Sequence, residues 1–248
     1  KNQQEKLLLK ERHEAWENVA RKLAHEIKNP LTPIQLTIDR LKNKYSEKIN
    51  SSDKDNFNDY LKTIIKQINQ IENLVNEFSD FARMPKPILK KNNLLDIINE
   101  NIKLLKEMDN TINFNFKCSN KKVLFICDYE QINRVFFNLI KNSIESIQER
   151  ASKHADFAKK IDIEITSKND YITIKITDNG TGFSEENLSN ILKPYFTTKS
   201  KGTGLGLSIV NKIISDHDGD IKFEKIKTGA KIIINFQKNV YWNINYRW

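Results

Sequence analysis

The apolar positions change period along the chain. Phe57, Leu61, Ile64, Ile68, Ile71, Val75, Phe78 and Ala82 recur at spacings of 4, 3, 4, 3, 4, 3 and 4, an unbroken heptad seam that predicts a long helix. Upstream, Trp16, Ala20, Leu23 and Ile27 continue into Leu31, Ile34, Ile38, Leu41 and Tyr45. One extra four-residue step at Leu23, Ile27 and Leu31 locally unwinds such a seam. The polar stretch from Ser46 to Asn56 joins the two, so a helical hairpin is expected. A single hairpin leaves its seam open, and two copies paired into a four-helix bundle would cover it.

Pro85 and Pro87 read as a stiff linker, and beyond them the period changes. Leu94 to Leu105 keeps a helical pattern, Ile112 to Phe116 and Val123 to Ile126 read as strands, and Tyr129 to Arg150 as a long helix with one apolar face. Ile161, Ile163 and Ile165, then Ile172, Ile174 and Ile176, alternate strictly and predict a strand pair turning at Lys168 to Asp170. A helix from about Leu205 to Asp216 and strands near Ile221 to Ile226 and Ala230 to Phe236 complete an α+β sandwich, helices on one face of a mostly antiparallel sheet. The expected division is a dimerising helical hairpin over 1–84, a sandwich domain over 88–238, and a tail at 239–248 that fits neither pattern.

With 38% hydrophobic and 29% charged residues, the 248-residue chain has room for a real core. The net charge of +9 is spread along the whole length, which fits a solvated surface better than a nucleic-acid interface. The longest apolar run, Val123 to Cys127, is five residues, far below the roughly 20 that a membrane span needs. The opening KNQQEKLLLKER has no secretion-signal core, and the missing initial Met points to a piece of something longer. Cys118 and Cys127 lack disulfide or zinc spacing and read as reduced core residues in a cytoplasmic compartment.

Candidate chemistry begins at HEIKNP, 25–30. His25 lies two residues from both Leu23 and Ile27, about 160 to 200° around a helix from the seam, and so faces solvent. Arg21, Lys22, Lys28 and Asn29 surround it on its helix face and would attract anionic phosphate. Glu26 can orient the ring or take its proton. Pro30 and Pro33 should bend the helix just past it. His13, His154 and His217 lack comparable surroundings and read as structural.

Three further segments add to it. In NLIKNSIES, Asn138 and Asn142 share a helix face, and their amide oxygens suit Mg²⁺, with Glu145 one turn on to hold a metal-bound water. In DNGTGF, Asp178 ends a strand where a carboxylate can accept from an exocyclic amino group, and Gly180 and Gly182 free the backbone. In KGTGLGLSIV, Gly202, Gly204 and Gly206 open a helix as a phosphate cradle, in a GxGxG spacing that is not the dinucleotide fingerprint. KPYFTTKS between them reads as a lid, anchored by Phe196, with Lys199 in reach of phosphates. All seven glycines follow residue 179, and five fall between Gly180 and Gly206.

Over roughly residues 7 to 237 the chain resembles the sensor histidine kinases of bacterial two-component systems. HEIKNP looks like the H box, NLIKNSIES the N box, DNGTGF the G1 box, KPYFTTK the F box and GTGLGL the G2 box. WENVARKLAHEIKNPLTPIQLTIDRLKNKY and FSDFARMPKP are similar in particular to the NtrY-like nitrogen-regulation kinases. The resemblance implies an ATP-binding sandwich of the histidine kinase, gyrase and heat-shock chaperone type, a homodimer, and phosphoryl transfer from ATP to His25 and on to an aspartate of a response regulator receiver domain. It implies Glu26 as acid/base partner and Asn29 as a water-positioning residue in regulator dephosphorylation. Asn142 would bind Mg²⁺ beside Glu145, with Asn138 in support, and Asp178 would read the adenine amino group. Gly180, Gly182, Phe196, Lys199, Gly202, Thr203, Gly204, Leu205 and Gly206 would shape the nucleotide site and lid. Ser143 stands where Ala is frequent in the family, with no loss of function expected. Family members are usually tied to the inner membrane by segments absent here. A water-activating ATPase of the same superfamily would carry a carboxylate where this chain has Asn138. A non-catalytic scaffold would bind ATP without being labelled by it.

Overall fold

A computed structural model of the chain describes residues 2–82, 84–154, 157–168, 170–199 and 202–238, without the side chains of 2–18, 20, 21, 51 and 185. Two compact units, Lys1–Pro85 and Lys86–Trp248, divide it.

The first unit is a helical hairpin of α1 (Asn2–Tyr45) and α2 (Ser51–Ala82). Helix α1 runs through both Pro30 and Pro33. The seam splits in two. Ala24, Leu31 and Ile38 on α1 and Leu61, Ile68, Val75 and Ala82 on α2 are buried, each a heptad from the last, and Leu31, Ile38, Leu61 and Ile68 form one cluster with Phe57 and Ile65 against it. The intervening seam residues Leu23, Ile27, Ile34 and Leu41, with Ile64 and Ile71, remain 40–45% exposed. At the stutter the inward residue is therefore Ala24, not Leu23, because the extra four-residue step rotates the seam. Trp16 and Ala20 lie outside the described side chains.

The second unit is built on a five-stranded sheet in the order β2-β4-β5-β7-β6, from β2 (Asn113–Cys118), β4 (Lys160–Lys168), β5 (Tyr171–Asp178), β6 (Gly219–Lys225) and β7 (Ala230–Gln237). Only the β2–β4 pairing is parallel. The strict alternation puts Ile161, Ile163, Ile165, Ile172, Ile174, Ile176, Ile232, Ile234 and Phe236 into the core, with cross-strand partners such as Ile174↔Ile234 and Ile176↔Ile232 in register. Helices α3 (Leu94–Lys106), α4 (Tyr129–Lys153) and α6 (Gly206–Asp216) form the second layer, α4 touching both α3 and α6. Leu94, Ile97, Ile98, Leu105, Phe136, Leu139, Ile140 and Ile144 are fully buried.

The pattern did not foresee the small antiparallel pair of β1 (Lys90–Asn93) with β3 (Leu124–Cys127), nor the one-turn α5 (Glu185–Leu188). Cys127 is buried as expected, its thiol pushed up to about 11, first by loss of solvent. Cys118 is only half-buried at the end of edge strand β2, a correction to its core reading. His217 is structural, as expected. Its Nε2 accepts from the Asp128 N–H at 3.0 Å, so Nδ1 carries the proton and donates to the Ile213 carbonyl at 2.7 Å. Asp128 caps α4 through the Gln131 N–H at 3.0 Å and also accepts from the Ile88 N–H at 2.8 Å, tying the start of the domain to both helices of the candidate site. His154 is the C-cap of α4, while the His13 side chain and the 239–248 tail lie outside what is described.

Candidate functional site

On α1, His25 is exposed, as the helix geometry requires. Asn29, one turn on, places its Nδ2 3.3 Å from His25 Nδ1, so amide orientation and ring tautomer are coupled. With Nδ2 donating, the ring proton sits on Nε2; turned over, the amide oxygen would hold the proton on Nδ1 and free Nε2. Glu26 reaches Lys22 at 3.9 Å rather than the ring, an exposed pair of little energetic weight. Its expected contact with the imidazole is not made, because adjacent helical residues point about 100° apart. Lys22 is exposed and Lys28 half-buried, while the Arg21 side chain lies outside the described set.

In the second unit the expected residues converge from four segments. Helix α4 presents Asn138, Asn142 and Glu145, half-buried, along one face. The ammonium of Lys199, from the lid, donates to Glu145 Oε2 at 2.5 Å and to Asn142 Oδ1 at 3.3 Å. Two hard oxygens from neighbouring turns thus already meet on one positive charge. That donor set fits Mg²⁺, which takes few protein oxygens and fills its octahedron with water and phosphate. Among the described residues no three His, Cys, Asp or Glu side chains form a cage. Lys141 approaches Glu145 Oε1 at 4.0 Å, so this carboxylate lies between two lysines.

At the end of β5, Asp178 is buried at 4% exposure and accepts from the Gly180 N–H at 2.9 Å. Burial pushes its carboxyl above the ordinary value, opposed in part by the hydrogen bond from Gly180, by Ser143, by the Ala230 backbone and by the Lys199 charge. The turn that follows is pinned to α4: the Thr181 N–H donates to Ser146 Oγ at 3.0 Å. Gly180 is required here, since a Cβ would lie 2.3 Å from that same oxygen. Gly182 follows with φ of 75°.

The lid folds back on the GxGxG loop. The Tyr195 N–H donates to the Gly204 carbonyl at 3.0 Å, and a Cβ on Gly204, at φ +72°, would fall 2.4 Å from the Tyr195 carbonyl carbon. Tyr195 itself adopts φ of 66° and is 55% exposed, whereas Phe196 beside it is half-buried. Gly202 packs on the Thr197 hydroxyl. Thr203 Oγ1 accepts from the Leu205 N–H at 3.3 Å, and Leu205, fully buried, is the N-cap of α6 with no side-chain cap. Gly206, the first residue of α6, lies against Asn138 Oδ1, so the helix start and the N-box face adjoin. Uncapped N–H groups there suit an anionic ligand.

Sequence reasoning missed the strained Tyr195, the pinning pair Ser146 and Thr181, and the Asp128–His217 clasp. A non-glycine residue at positive φ has no local signature in YF, and partners 89 positions apart have none at all.

Comparison with known proteins extends these observations. Residues 15–87 match the His Kinase A (phospho-acceptor) domain, and residues 127–240 match the histidine kinase-, DNA gyrase B- and HSP90-like ATPase. The chain is 40% identical over 235 residues to a sensor histidine kinase NtrY-like protein of Rickettsia felis, covering 94% of this chain and 38% of that one. It is 37% identical over 223 residues to the nitrogen regulation protein NtrY of Azorhizobium caulinodans, covering 90% and 28%. The chain thus spans well under half the length of these relatives. Among solved structures, the catalytic domain of the histidine kinase ThkA is similar at 31% identity and a TM-score of 0.54, over 60% of this chain and 95% of that one. ThkA in complex with the response regulator protein TrrA aligns at 27% identity and a TM-score of 0.65, over 92% and 64%. Among the described residues no helix is long and apolar enough to cross a membrane. With both domain models matched in order, a solved catalytic domain covered almost end to end, and NtrY-like relatives along nearly its whole length, the chain belongs to the sensor histidine kinases, as the catalytic core of an NtrY-like member.

Proposed function

We propose that this chain transfers the γ-phosphoryl group of ATP to a ring nitrogen of His25 and then to an aspartate of a response regulator receiver domain, and that it also assists dephosphorylation of that regulator. In the first step the imidazole lone pair forms the nitrogen–phosphorus bond while the bond from the γ-phosphorus to the bridging oxygen breaks and ADP leaves. The reacting nitrogen is the one that the Asn29 amide leaves with its lone pair free. Glu26 takes the ring proton once local rearrangement brings it off Lys22. Asn29 positions the water that hydrolyses the regulator's aspartyl phosphate, releasing free aspartate and inorganic phosphate.

Asp178 accepts from the adenine amino group. Lys199, the uncapped start of α6 and the Gly202–Gly206 loop neutralise and orient phosphates, while Tyr195, Phe196 and Thr203 close the lid. Asn142 and Glu145, steadied by Asn138, hold Mg²⁺, which supplies charge neutralisation at the phosphates when bound. Positioning and charge compensation suffice for such a transfer. The hairpin, 1–84, dimerises through its open seam, and the sandwich, 88–238, swings on the Pro85 and Pro87 linker to reach His25.

The observation that carries this reading is the meeting of Asn142 and Glu145 oxygens on the Lys199 ammonium, in the same domain as a buried Asp178, in a chain that also exposes a histidine inside a matched phospho-acceptor domain. Incubation with γ-labelled ATP and Mg²⁺ tests it. Acid-labile, base-stable label is expected, absent from both His25→Gln and Asn142→Ala. Label that survives in His25→Gln would place the acceptor elsewhere.

A further inference from the structure

Resting on the nucleotide reading above, we propose that Ser143 is a second adenine-reading group, its hydroxyl donating to purine N1 while Asp178 accepts from the 6-amino group. Ser143 is 2% exposed and its Oγ has no hydrogen-bond partner. A serine inside a helix ordinarily bonds back to the carbonyl one turn earlier, and this one does not. A buried hydroxyl without a partner is a cost that alanine would avoid. The hydroxyl lies near the Asp178 carboxylate, favouring its charged form, but short of a full hydrogen bond. Its Oγ is shut off from solvent and, apart from this approach to Asp178, has no polar partner.

The two groups differ in what they can do. An ionised carboxylate only accepts, and Asp178 Oδ1 is already engaged by the Gly180 N–H. A hydroxyl can donate. A carboxylate beside a hydroxyl therefore matches an edge that presents a donor next to an acceptor, which is the 6-amino and N1 edge of adenine. Guanine presents the reverse, an acceptor next to N1–H, and would set its carbonyl oxygen against the carboxylate. Ser143 follows Asn142 directly on α4, so the same turn that holds the cation end of the nucleotide would also read its base.

Equilibrium binding of ATP, 1-deaza-ATP, in which N1 is a carbon, and purine riboside triphosphate, which lacks the 6-amino group, separates the contributions in wild type and Ser143→Ala. The wild type is expected to bind ATP about tenfold more tightly than 1-deaza-ATP, and Ser143→Ala to bring that ratio within about twofold of one. Preference for ATP over purine riboside triphosphate should persist in the variant, because Asp178 sets it. The ligand-free variant should melt at or above the wild type. An unchanged 1-deaza ratio, or equal weakening toward all three nucleotides with a lower melting temperature, would overturn the proposal by making Ser143 a packing residue. Failure of the wild type to bind any of the three would instead remove the nucleotide reading itself.

Discussion

The two units bury their apolar residues in different ways. In the sandwich unit the core closes on itself: Leu94, Ile97, Leu105, Phe136 and Ile144 are at 0% exposure, sealed between helices and sheet. In the hairpin only every second seam residue is covered, and Leu23, Ile27, Ile34, Leu41, Ile64 and Ile71 stay 40–45% exposed in a regular row. A self-contained core lets the nucleotide domain move as a body. The half-covered seam is the surface on which the proposed pairing of two hairpins rests.

The comparison breaks most sharply in the core. Phe136→Ala should cost the sandwich unit about 3–5 kcal/mol and abolish nucleotide binding at the growth temperature of a mesophile, leaving hairpin helicity unchanged by circular dichroism. Ile34→Glu should do the opposite. It removes no intra-hairpin contact of the buried cluster but places a charge on the open row. Analytical ultracentrifugation is expected to find the wild type dimeric and this variant monomeric, with ATP affinity unaltered. An Ile34→Glu chain that remains dimeric would show that the row is not the dimer face.

A subtler pair contrasts acids within the sandwich. Asp178 has its folded-state pKa raised by burial, so its contribution to stability is full below the unfolded value and lost as pH rises through the folded one. Near neutral pH it is therefore a liability to the free protein. Asp178→Asn should melt at or above the wild type at pH 7 while losing adenine-nucleotide affinity, measured by calorimetry and by titration. Asp109 is the reverse. The Thr111 hydroxyl first, then Lys159 at 3.2 Å, the Thr111 N–H and Gln148, hold it down at about 2 from 3.8. Its stabilisation is present above pH 3.8 and lost as pH falls toward 2. Asp109→Asn should lower stability at pH 7, where that contribution is fully present, and converge on the wild type as pH falls toward 2, which flattens the acid limb of the stability curve.

What could be read in advance follows from how local each cause is. Helix α2 was legible because its heptad is unbroken, and strands β4, β5 and β7 because isoleucines alternate without interruption. Strand β1 was not, since KKNN has no apolar alternation. It forms because Asn93 Oδ1 accepts from the Val123 N–H and Asn92 Nδ2 donates to the Cys127 carbonyl, partners 30 and 35 positions away. The inward turn of Ala24 was obscured by the stutter, and a small residue carries little weight in an apolar pattern. Of the site, the positions of Asn142, Glu145, Asp178 and Lys199 came from motif order, and the structure adds that the first two share the Lys199 ammonium. The pinning of Gly180 on Ser146 and of Gly204 on Tyr195 depends on backbone approach between distant segments, which residue types alone do not encode.

The account's central claim is a division of labour, with the acceptor in one unit and nucleotide recognition in the other. Measuring ATP affinity and phosphoryl label side by side on His25→Gln tests it most directly. The claim predicts an affinity within about twofold of wild type and no acid-labile label, because that substitution touches only the exposed face of α1. Retained label, or ATP affinity lost together with the label, would contradict it.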